Sequence, residues 1–477
     1  MLFNSLHFIF FFVLVTAIYF ALAHRYRWQW LLLASCYFYM VFVPVYLVIL
    51  AVTIVIDYFA GIWIFKAEGK ARKWLLSMSI VANVGILALF KYYNFINENL
   101  THLLGWFQQE NPIPYLTILL PIGLSFHTFQ AMSYTIEVYR GNQLPERHFG
   151  LYALYVMFFP QLVAGPIERP QNMLHQFRSE HVWNWSRFFE GSKWMIWGFF
   201  MKLVVADRLA EYVDSTIGNP MNHSGWSLWV GSVFFAFQIY CDFAGYSLIA
   251  LGSARIMGFD LMVNFRRPYL AQSVSEFWSR WHISLSTWFR DYVYIALGGN
   301  RVGSVKKYRN LLTVFLLSGL WHGASWTFVV WGGLNGVFLV ISQMWKDIFA
   351  GFMGKWNAAI LYLTRNIFLR FFTFVLIVFT WVFFRAVSIE DALFIVSKMT
   401  NPSGPLVMQN RTVFYLGVFS ILILMTADFW MEYSHRGKSI SPQFSKPWLE
   451  AIIYLIVIIL ILMIGVLNGG QFIYFQF

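Results

Sequence analysis

Charged residues are scarce in this chain. Asp, Glu, Lys and Arg make up 12% of its 477 residues, whereas soluble proteins contain about 25%. So little charge excludes an ordinary soluble domain. Disorder is excluded as well, because 59% of the residues are hydrophobic and 21% are aromatic, and such chains collapse in water. The composition therefore predicts a protein whose solvent is the lipid bilayer.

Cysteine is almost absent. Cys36 and Cys241 are the only two; both lie within apolar runs, and no CxxC or Cys/His spacing typical of zinc sites occurs. The HExxH, GxSxG and glycine-rich phosphate-loop motifs are also missing. The sequence therefore predicts no redox chemistry, no metal site and no bound cofactor.

Acidic residues are outnumbered, with 22 against 34 basic residues and a net charge of +12. In so apolar a chain, this excess predicts basic loops on the cytoplasmic side rather than nucleic-acid binding. The segment between Gly258 and Asn310 should lie at that face. Its basic residues are Arg266, Arg267, Arg280, Arg290, Arg301, Lys306, Lys307 and Arg309.

Long apolar runs make up most of the remaining sequence. A helix crosses the hydrocarbon with about 20 apolar residues, so the length allows about ten to twelve crossings. We expect an all-α polytopic membrane protein with additional re-entrant and interfacial helices, folded as a single transmembrane domain over residues 1–477. Pro44 should split one long run into a helical hairpin, and Pro160 and Gly165 should break another. Residues 91–112 are expected to form an external loop.

The ends of the chain are predicted to face outward. The first apolar run, 6–23, lacks a basic n-region and is interpreted as an uncleaved helix with Arg25 and Arg27 inside. The basic stretch 436–446 places the start of the last span inside as well. The aromatic tail at 471–477 would then be extracytoplasmic.

His322 is the most informative residue. It lies twelve positions after Asn310 in a run without charge up to Trp345, which would place it about 18 Å deep in a helix. An ionisable side chain at that depth is a functional candidate, although a neutral histidine bonded between helices is the alternative. Gly319 and Gly323 on either side permit close helix approach or the passage of a slim substrate.

His282 follows a helix start. Ser273 and Glu276 match a capping box, and Trp278, Trp281, Leu285 and Trp288 then recur on one face of a predicted interfacial helix. On this pattern alone the tryptophans are headgroup anchors, and His282 is a polar residue on the wet face.

Two other features are candidates for function: an acidic residue within a predicted span and the aromatic tail beyond the last one. Asp242 is an acid inside an apolar run, so it must be paired, protonated or lining a polar cavity, and an arginine partner is expected. The tail carries aromatic residues at 472, 474, 475 and 477. Tyr474 is either an interfacial anchor or a hydroxyl presented at the membrane edge.

Several motifs together resemble the membrane-bound O-acyltransferase family, and most closely its bacterial alginate O-acetylation branch. The motifs cover most of residues 1–400. They are SGLWHG at 318–323, EFWSRWHISLSTWFRDY at 276–292, PIGLSF at 121–126, YRG at 139–141, FPQLVAGP at 159–166, QIYCDFAGYS at 238–247 and LGGNR at 297–301.

The resemblance implies a many-helix fold around a central tunnel, in a bacterial inner membrane and surrounded by its lipids. It implies that His322 is catalytic and that His282 is the second family histidine. The family moves an acyl group from a cytoplasmic thioester to a hydroxyl reached from the other side. In this branch the final acceptor is an envelope polysaccharide, and an extracytoplasmic acetyltransferase partner completes the transfer.

Donor and tunnel residues follow from position and resemblance. Arg280, Arg290, Asp291 and Trp321 are assigned to the donor side, where a basic face would attract either acetyl-CoA or an acylated carrier protein. Asp242, Gly323 and Asn335 are assigned to the substrate tunnel. The tail resembles the aromatic motif of a small partner of the teichoic acid D-alanyl transferases, so Tyr474 is predicted to carry the acyl group.

The sequence departs from the alginate branch at two positions, and two alternative functions remain open. Asn335 and Leu248 stand where the alginate branch commonly has histidine and aspartate, so alginate, peptidoglycan, cellulose or another polysaccharide are all open as acceptors. D-alanyl transfer to teichoic acid by a carrier protein is one alternative. A membrane transporter is the alternative from another class, although no internal repeat supports it.

Overall fold

The computed structural model describes residues 1–117, 121, 123–163, 165–349, 359–434, 439–467, 472 and 473. Within these residues all regular structure is helical, and no β-strand occurs, which confirms the all-α prediction. The chain divides into two compact units, one formed by 1–192 with 250–262 and the other by 193–249 with 263–477. A single transmembrane domain over the whole chain stays a prediction.

Seven helices of the described residues are long and apolar enough to cross a membrane. The protein is therefore a multi-pass membrane protein. The number is below the ten to twelve expected, because several apolar runs are short or interrupted; the first helix, for example, has 16 residues. The seven spans are Tyr46–Lys66, Gly69–Lys91, Gly225–Met257, Trp326–Trp345, Arg365–Arg385, Arg411–Tyr433 and Pro447–Ile464.

The first unit contains nine helices in its described N-terminal part. The break between α2 and α3 falls at Pro44 as predicted, and the run around Pro160 is divided into three short helices. The predicted external loop at 91–112 is wrong in part, because most of it forms α5. The helices are α1 Leu6–Ala21, α2 His24–Met40, α3 Tyr46–Lys66, α4 Gly69–Lys91, α5 Tyr93–Trp106, α6 Leu124–Arg140, α7 Phe149–Met157, α8 Phe159–Leu162 and α9 Pro170–Arg178.

A buried polar cluster joins helices α3 and α4 of the first unit. The Asp57 carboxylate on α3 accepts hydrogen bonds from Ser79 Oγ at 2.7 Å and Asn83 Nδ2 at 2.9 Å, both on α4. Asp57 has no exposed surface. Because water cannot reach such a group, the neighbouring helices supply its hydrogen bonds.

The second unit takes in most of the remaining helices; α10 and α12 contribute residues to both units. Two π-helical turns interrupt the α-helical pattern, at Phe200–Ala206 and Arg290–Tyr294. The α-helices are α10 Trp185–Phe199, α11 Asp207–Ile217, α12 Gly225–Met257, α13 Val274–Arg280, α14 Ile283–Phe289, α15 Gly303–His322, α16 Trp326–Phe349, α17 Ala359–Arg385, α18 Ile389–Thr400, α19 Arg411–Tyr433 and α20 Pro447–Ile464.

Helices α15 and α16 form a close hairpin. A Cβ atom at Gly319 would collide with the carbonyl oxygen of Phe328, and one at Gly332 would collide with the carbonyl oxygen of Phe315. Small residues let the two backbones touch, as in other membrane helix pairs. The hairpin turn follows directly after His322, so the apolar run from 310 to 343 is two helices and not one.

We expect Gly332→Ala to lower the free energy of unfolding by about 1 to 3 kcal/mol, because the added methyl group would force the hairpin apart. Gly333→Ala is the matched control: its Cβ would meet only Leu316 Cδ2, at an ordinary 3.6 Å, and alanine favours the helix. Apparent melting temperatures of the two variants in one detergent check this. Equal melting temperatures would show that the contact is not tight.

Candidate active site

His322 is the last residue of α15 and is 3% exposed. Aromatic rings enclose it. Its ring centroid lies 5.0 Å from that of Trp321, 4.9 Å from that of Trp331 on α16 and 5.5 Å from that of Phe384 on α17. A titratable group at the end of a helix is thus held in an apolar surrounding.

His282 lies at a break between two short helices. The predicted helix start is confirmed, because the Ser273 side chain accepts a hydrogen bond from the Glu276 N–H at 3.2 Å, while the Glu276 carboxylate accepts the N–H of Gln272 at 2.8 Å and not that of Ser273. His282 itself has a φ of +43°, a left-handed conformation in which an α-helix cannot continue. The Asn264 carbonyl oxygen then accepts the first N–H of α14, that of Ile283, at 2.9 Å.

The interfacial-helix prediction for this segment is wrong. Trp281 and His282 are each 1% exposed and Leu285 is 3% exposed, so these side chains are interior and not headgroup anchors. The break at His282 lets residues on both sides of it, Trp281 and Leu285, point into the protein. Burial also lowers the pKa of His282, which lies outside the spanning helices, to about 3. Its imidazole is therefore neutral at neutral pH.

The structure brings the two predicted catalytic histidines together through Trp321. The Trp321 ring lies 6.2 Å from His282 and 5.0 Å from His322, measured between centroids. Phe243 on α12 closes the other side of His282 at 4.6 Å. Trp321 was assigned to the donor side, and its place between the histidines puts it in the same cluster as both.

Buried polar atoms lie beside this cluster. Asn335 has no exposed surface and its Nδ2 donates to the Trp331 carbonyl oxygen at 2.9 Å. The Oδ1 of Asn335 and the indole N–H groups of Trp331 and Trp381 make no hydrogen bond within the described part of the chain. Buried polar groups are nearly always bonded. These atoms therefore offer one acceptor and two donors to a polar ligand, and the ring of Trp331 contacts that of His322.

Gly323 contributes packing. A Cβ atom here would collide with the ring of Phe328, so the close-approach interpretation is supported over a passage for substrate. In the stretches that the structure describes, no group of three or more His, Cys, Asp or Glu side chains could hold a metal ion.

Asp242 is paired with a lysine, so the expected arginine partner is wrong. Lys202 Nζ lies 2.5 Å from Asp242 Oδ1 and 2.8 Å from Asp207 Oδ1. Asp242 Oδ2 also accepts the Ile473 N–H at 2.6 Å. Sequence reasoning missed Lys202, although a single lysine between Trp194 and Val205 is itself a signal in so apolar a run.

The donor-side arginines differ in their surroundings. Arg280 forms ion pairs with Glu276 at 2.6 Å and Glu432 at 2.8 Å, so its charge is already neutralised. Arg290 pairs with the adjacent Asp291 at 2.8 Å, and its side chain is 59% exposed. Glu432, which the sequence reasoning missed, therefore holds Arg280, and Arg290 is the better placed of the two to meet a donor. Tyr474 lies outside the described residues.

The apolar spanning helices define an integral membrane protein, and two buried histidines lie among aromatic rings within it. Residues 59–386 match the membrane-bound O-acyltransferase (MBOAT) family. The chain belongs to this family and is an O-acyltransferase. Membership favours the enzyme over the transporter alternative.

Several curated proteins are similar to this chain. The probable alginate O-acetylase AlgI of Pseudomonas aeruginosa is 37% identical over 90% of this chain and 81% of its own length. The peptidoglycan O-acetyltransferase of Helicobacter pylori is 35% identical over 78% of this chain and 74% of its own length. The teichoic acid D-alanyltransferase of Streptococcus thermophilus is 30% identical, over 47% of this chain and 57% of its own length.

We expect His282→Asn to fold and His282→Val to be less stable by about 1 to 3 kcal/mol. Asparagine tolerates a positive φ, whereas a β-branched residue does not. Apparent melting temperatures of the two variants measure the difference. If the valine variant is as stable as the asparagine variant, the left-handed conformation at His282 is not required.

Proposed function

We propose that this enzyme passes an acetyl group from a cytoplasmic thioester across the membrane for O-acetylation of an extracytoplasmic polysaccharide. The observation that carries the proposal is the burial of His322 beside His282 within one aromatic cluster. The names of the similar proteins support it, since one is a probable alginate O-acetylase and another is a peptidoglycan O-acetyltransferase. The acceptor is alginate, peptidoglycan, cellulose or a similar polymer.

His322 acts as the general base in this proposal. The acceptor hydroxyl oxygen attacks the thioester carbonyl carbon, a C–O bond forms and the C–S bond breaks. The hydroxyl proton goes to the imidazole and then to the departing thiolate, which leaves as a thiol. Histidine is the side chain that most often acts as a general base in such proton transfers. Asn335 and the indole N–H groups of Trp331 and Trp381 would bind polar parts of the reacting groups.

The donor is acetyl-CoA or an acylated carrier protein, both of which carry negative charge. Arg290 is exposed and basic, and Asp291 holds its guanidinium through Nε at 2.8 Å. An exposed cation raises the local concentration of an anionic donor. Arg280, neutralised by Glu276 and Glu432, would instead shape the segment that carries Arg290.

Tyr474 is proposed to receive the acetyl group before it reaches the polymer. Its phenol oxygen would attack the thioester, and the acetyl ester so formed would be handed to a hydroxyl of an extracytoplasmic acetyltransferase. This relay requires that the protein lie in the inner membrane with its C-terminus on the extracytoplasmic side. D-alanyl transfer by a carrier protein is the second candidate, favoured by the similarity to the teichoic acid D-alanyltransferase. Donor identity separates the two.

Peptide mass spectrometry after incubation with labelled acetyl-CoA tests the central step. In nanodiscs, the C-terminal peptide of the wild type should gain the label, and His322→Ala should reduce this by about a hundredfold or more, the usual contribution of a general base. His102→Ala, at an exposed histidine on α5, is the matched control and should label normally. Equal labelling of His322→Ala would remove His322 as the base.

Tyr474→Phe tests the relay. The C-terminal peptide should lose its label and polymer acetylation should stop, because phenylalanine lacks the attacking oxygen. If polymer acetylation continued, the tail would be an anchor and the transfer would be direct.

Arg290→Glu tests the donor side. The apparent KM for the anionic donor should rise by about threefold to tenfold, as expected for reversal of an exposed charge. Arg411→Glu is the control, because Arg411 is exposed at the opposite end of α19 from Glu432. A rise in KM of the same size in both variants would show a general charge effect and not a donor contact.

A further inference from the structure

Three charged side chains are buried together in the second unit. Lys202, Asp207 and Asp242 are 2%, 6% and 3% exposed at their side chains, and the lysine bridges the two carboxylates. Charges in an apolar medium are costly unless paired, and they usually mark a functional position. The acyl transfer proposed above uses none of the three directly, so the cluster calls for another explanation.

The backbone around the cluster is built to bring these groups together. Lys202 lies in the π-helical turn Phe200–Ala206, and its carbonyl oxygen accepts the Asp207 N–H. A Cβ atom at Gly245 would lie 2.7 Å from the Gly198 carbonyl oxygen and 3.0 Å from the Lys202 nitrogen. Glycine there lets α12 approach the turn closely enough for Asp242 to meet Lys202. π-helical turns occur frequently at functional sites.

Phe472 and Ile473, near the C-terminus, dock on Asp242 and its neighbours on α12. Ile473 donates its N–H to Asp242 Oδ2 at 2.6 Å. Phe472 is 1% exposed, and its ring stacks on Tyr246 at 4.8 Å and meets Phe243 at 5.5 Å. The bond to Asp242 fixes the register of the segment along α12, since a backbone N–H and not a side chain is held.

The preceding segment is tied to the π-helical turn as well. Val466 donates its N–H to the Leu203 carbonyl oxygen at 3.0 Å. Arg208 Nη2 donates to the Ile464 carbonyl oxygen at 2.6 Å. Residues on both sides of 468–471 are therefore held by the same part of the second unit.

The docking position connects the tail to the candidate active site. Phe243, which follows Asp242 on α12, contacts Phe472 on one side and His282 on the other, at 5.5 Å and 4.6 Å between ring centroids. His282 in turn contacts Trp321, next to His322. A continuous series of rings thus leads from the docked tail to the catalytic histidine.

We propose that Lys202, Asp207 and Asp242 form a receptor for the C-terminal segment, in which Asp242 holds the Ile473 amide and Lys202 holds Asp242. They are positioning residues. The functional part rests on the proposed role of Tyr474, which directly follows Ile473 in the sequence: the receptor sets the register in which the next residue is presented. The docking of Phe472 and Ile473 on α12 does not depend on the proposed role of Tyr474.

Hydrogen–deuterium exchange of the full-length protein in nanodiscs tests the docking. The Ile473 amide, resolved from overlapping C-terminal peptides, should be protected in the wild type, and Asp242→Ala should raise its exchange rate by about tenfold or more, because its hydrogen bond to a charged acceptor is lost. Lys202→Met should act in the same direction. Asp242→Asn keeps an acceptor oxygen and should give a smaller rise.

Asp57→Asn is the matched control, since Asp57 is another buried carboxylate on a spanning helix and bonds only Ser79 and Asn83 among the described residues. It should leave tail exchange unchanged, and exchange in α15, α16 and α19 should be unchanged in every variant. Unchanged tail exchange in both folded Asp242 variants would overturn the proposal. An equal rise in Asp57→Asn would overturn it too, because the effect would then be general.

Tyr474→Phe in the same assay separates this inference from the proposed function. The variant should keep the protected tail, since neither the Ile473 amide nor Phe472 is changed. If polymer acetylation also survives in Tyr474→Phe, the relay fails while the receptor stands. A tail that exchanges freely in the wild type would overturn the receptor whatever the acetylation result.

Discussion

The constraint on which this structure depends is that a polar group in an apolar protein must find its partner within the protein. With charged residues at 12% of the chain, each buried or half-buried one is conspicuous. Three of them show how they are matched: Asp57 by Ser79 and Asn83, Lys202 by two carboxylates, and Glu432 by Arg267 at 2.7 Å and Arg280 at 2.8 Å. The contacts of Lys202 with Asp242 and of Glu432 with Arg267 and Arg280 join segments far apart in the sequence, whereas those of Asp57 join the consecutive helices α3 and α4. They fix which helices are neighbours, a choice that apolar packing alone leaves weakly determined in a membrane.

The same constraint shapes the candidate active site. His282 and His322 lie where helices end, because a helix end frees backbone groups and lets a side chain leave the regular helix surface. The rings around them exclude water, and burial keeps His282 neutral. In the function proposed above, His322 would be the base, and the surrounding rings would keep water away from the thioester.

Features that depend on residues close together in the sequence could be predicted from it. The helical class, the break at Pro44, the helix start at Ser273 and the burial of His322 all follow from local composition. The partner of Asp242 was not predictable, because Lys202 is 40 positions away and arginine was the equally reasonable choice. Nor was the break at His282, since neither glycine nor proline marks the positive φ there. The tertiary surroundings impose that conformation, and periodicity cannot reveal it.

A tail fused to the enzyme gains from being docked. A flexible segment joined to a protein meets its own site at millimolar effective concentration, but it spends most of its time elsewhere and presents its residues in no fixed order. The Asp242 contact removes that freedom at Ile473, and Phe472 packs against the ring that also touches His282. Because the loss of freedom occurs when the chain folds, it need not recur in each reaction cycle. The Lys202–Asp242 ion pair, which is costly to bury, thereby has a role: it holds the carboxylate that docks the tail.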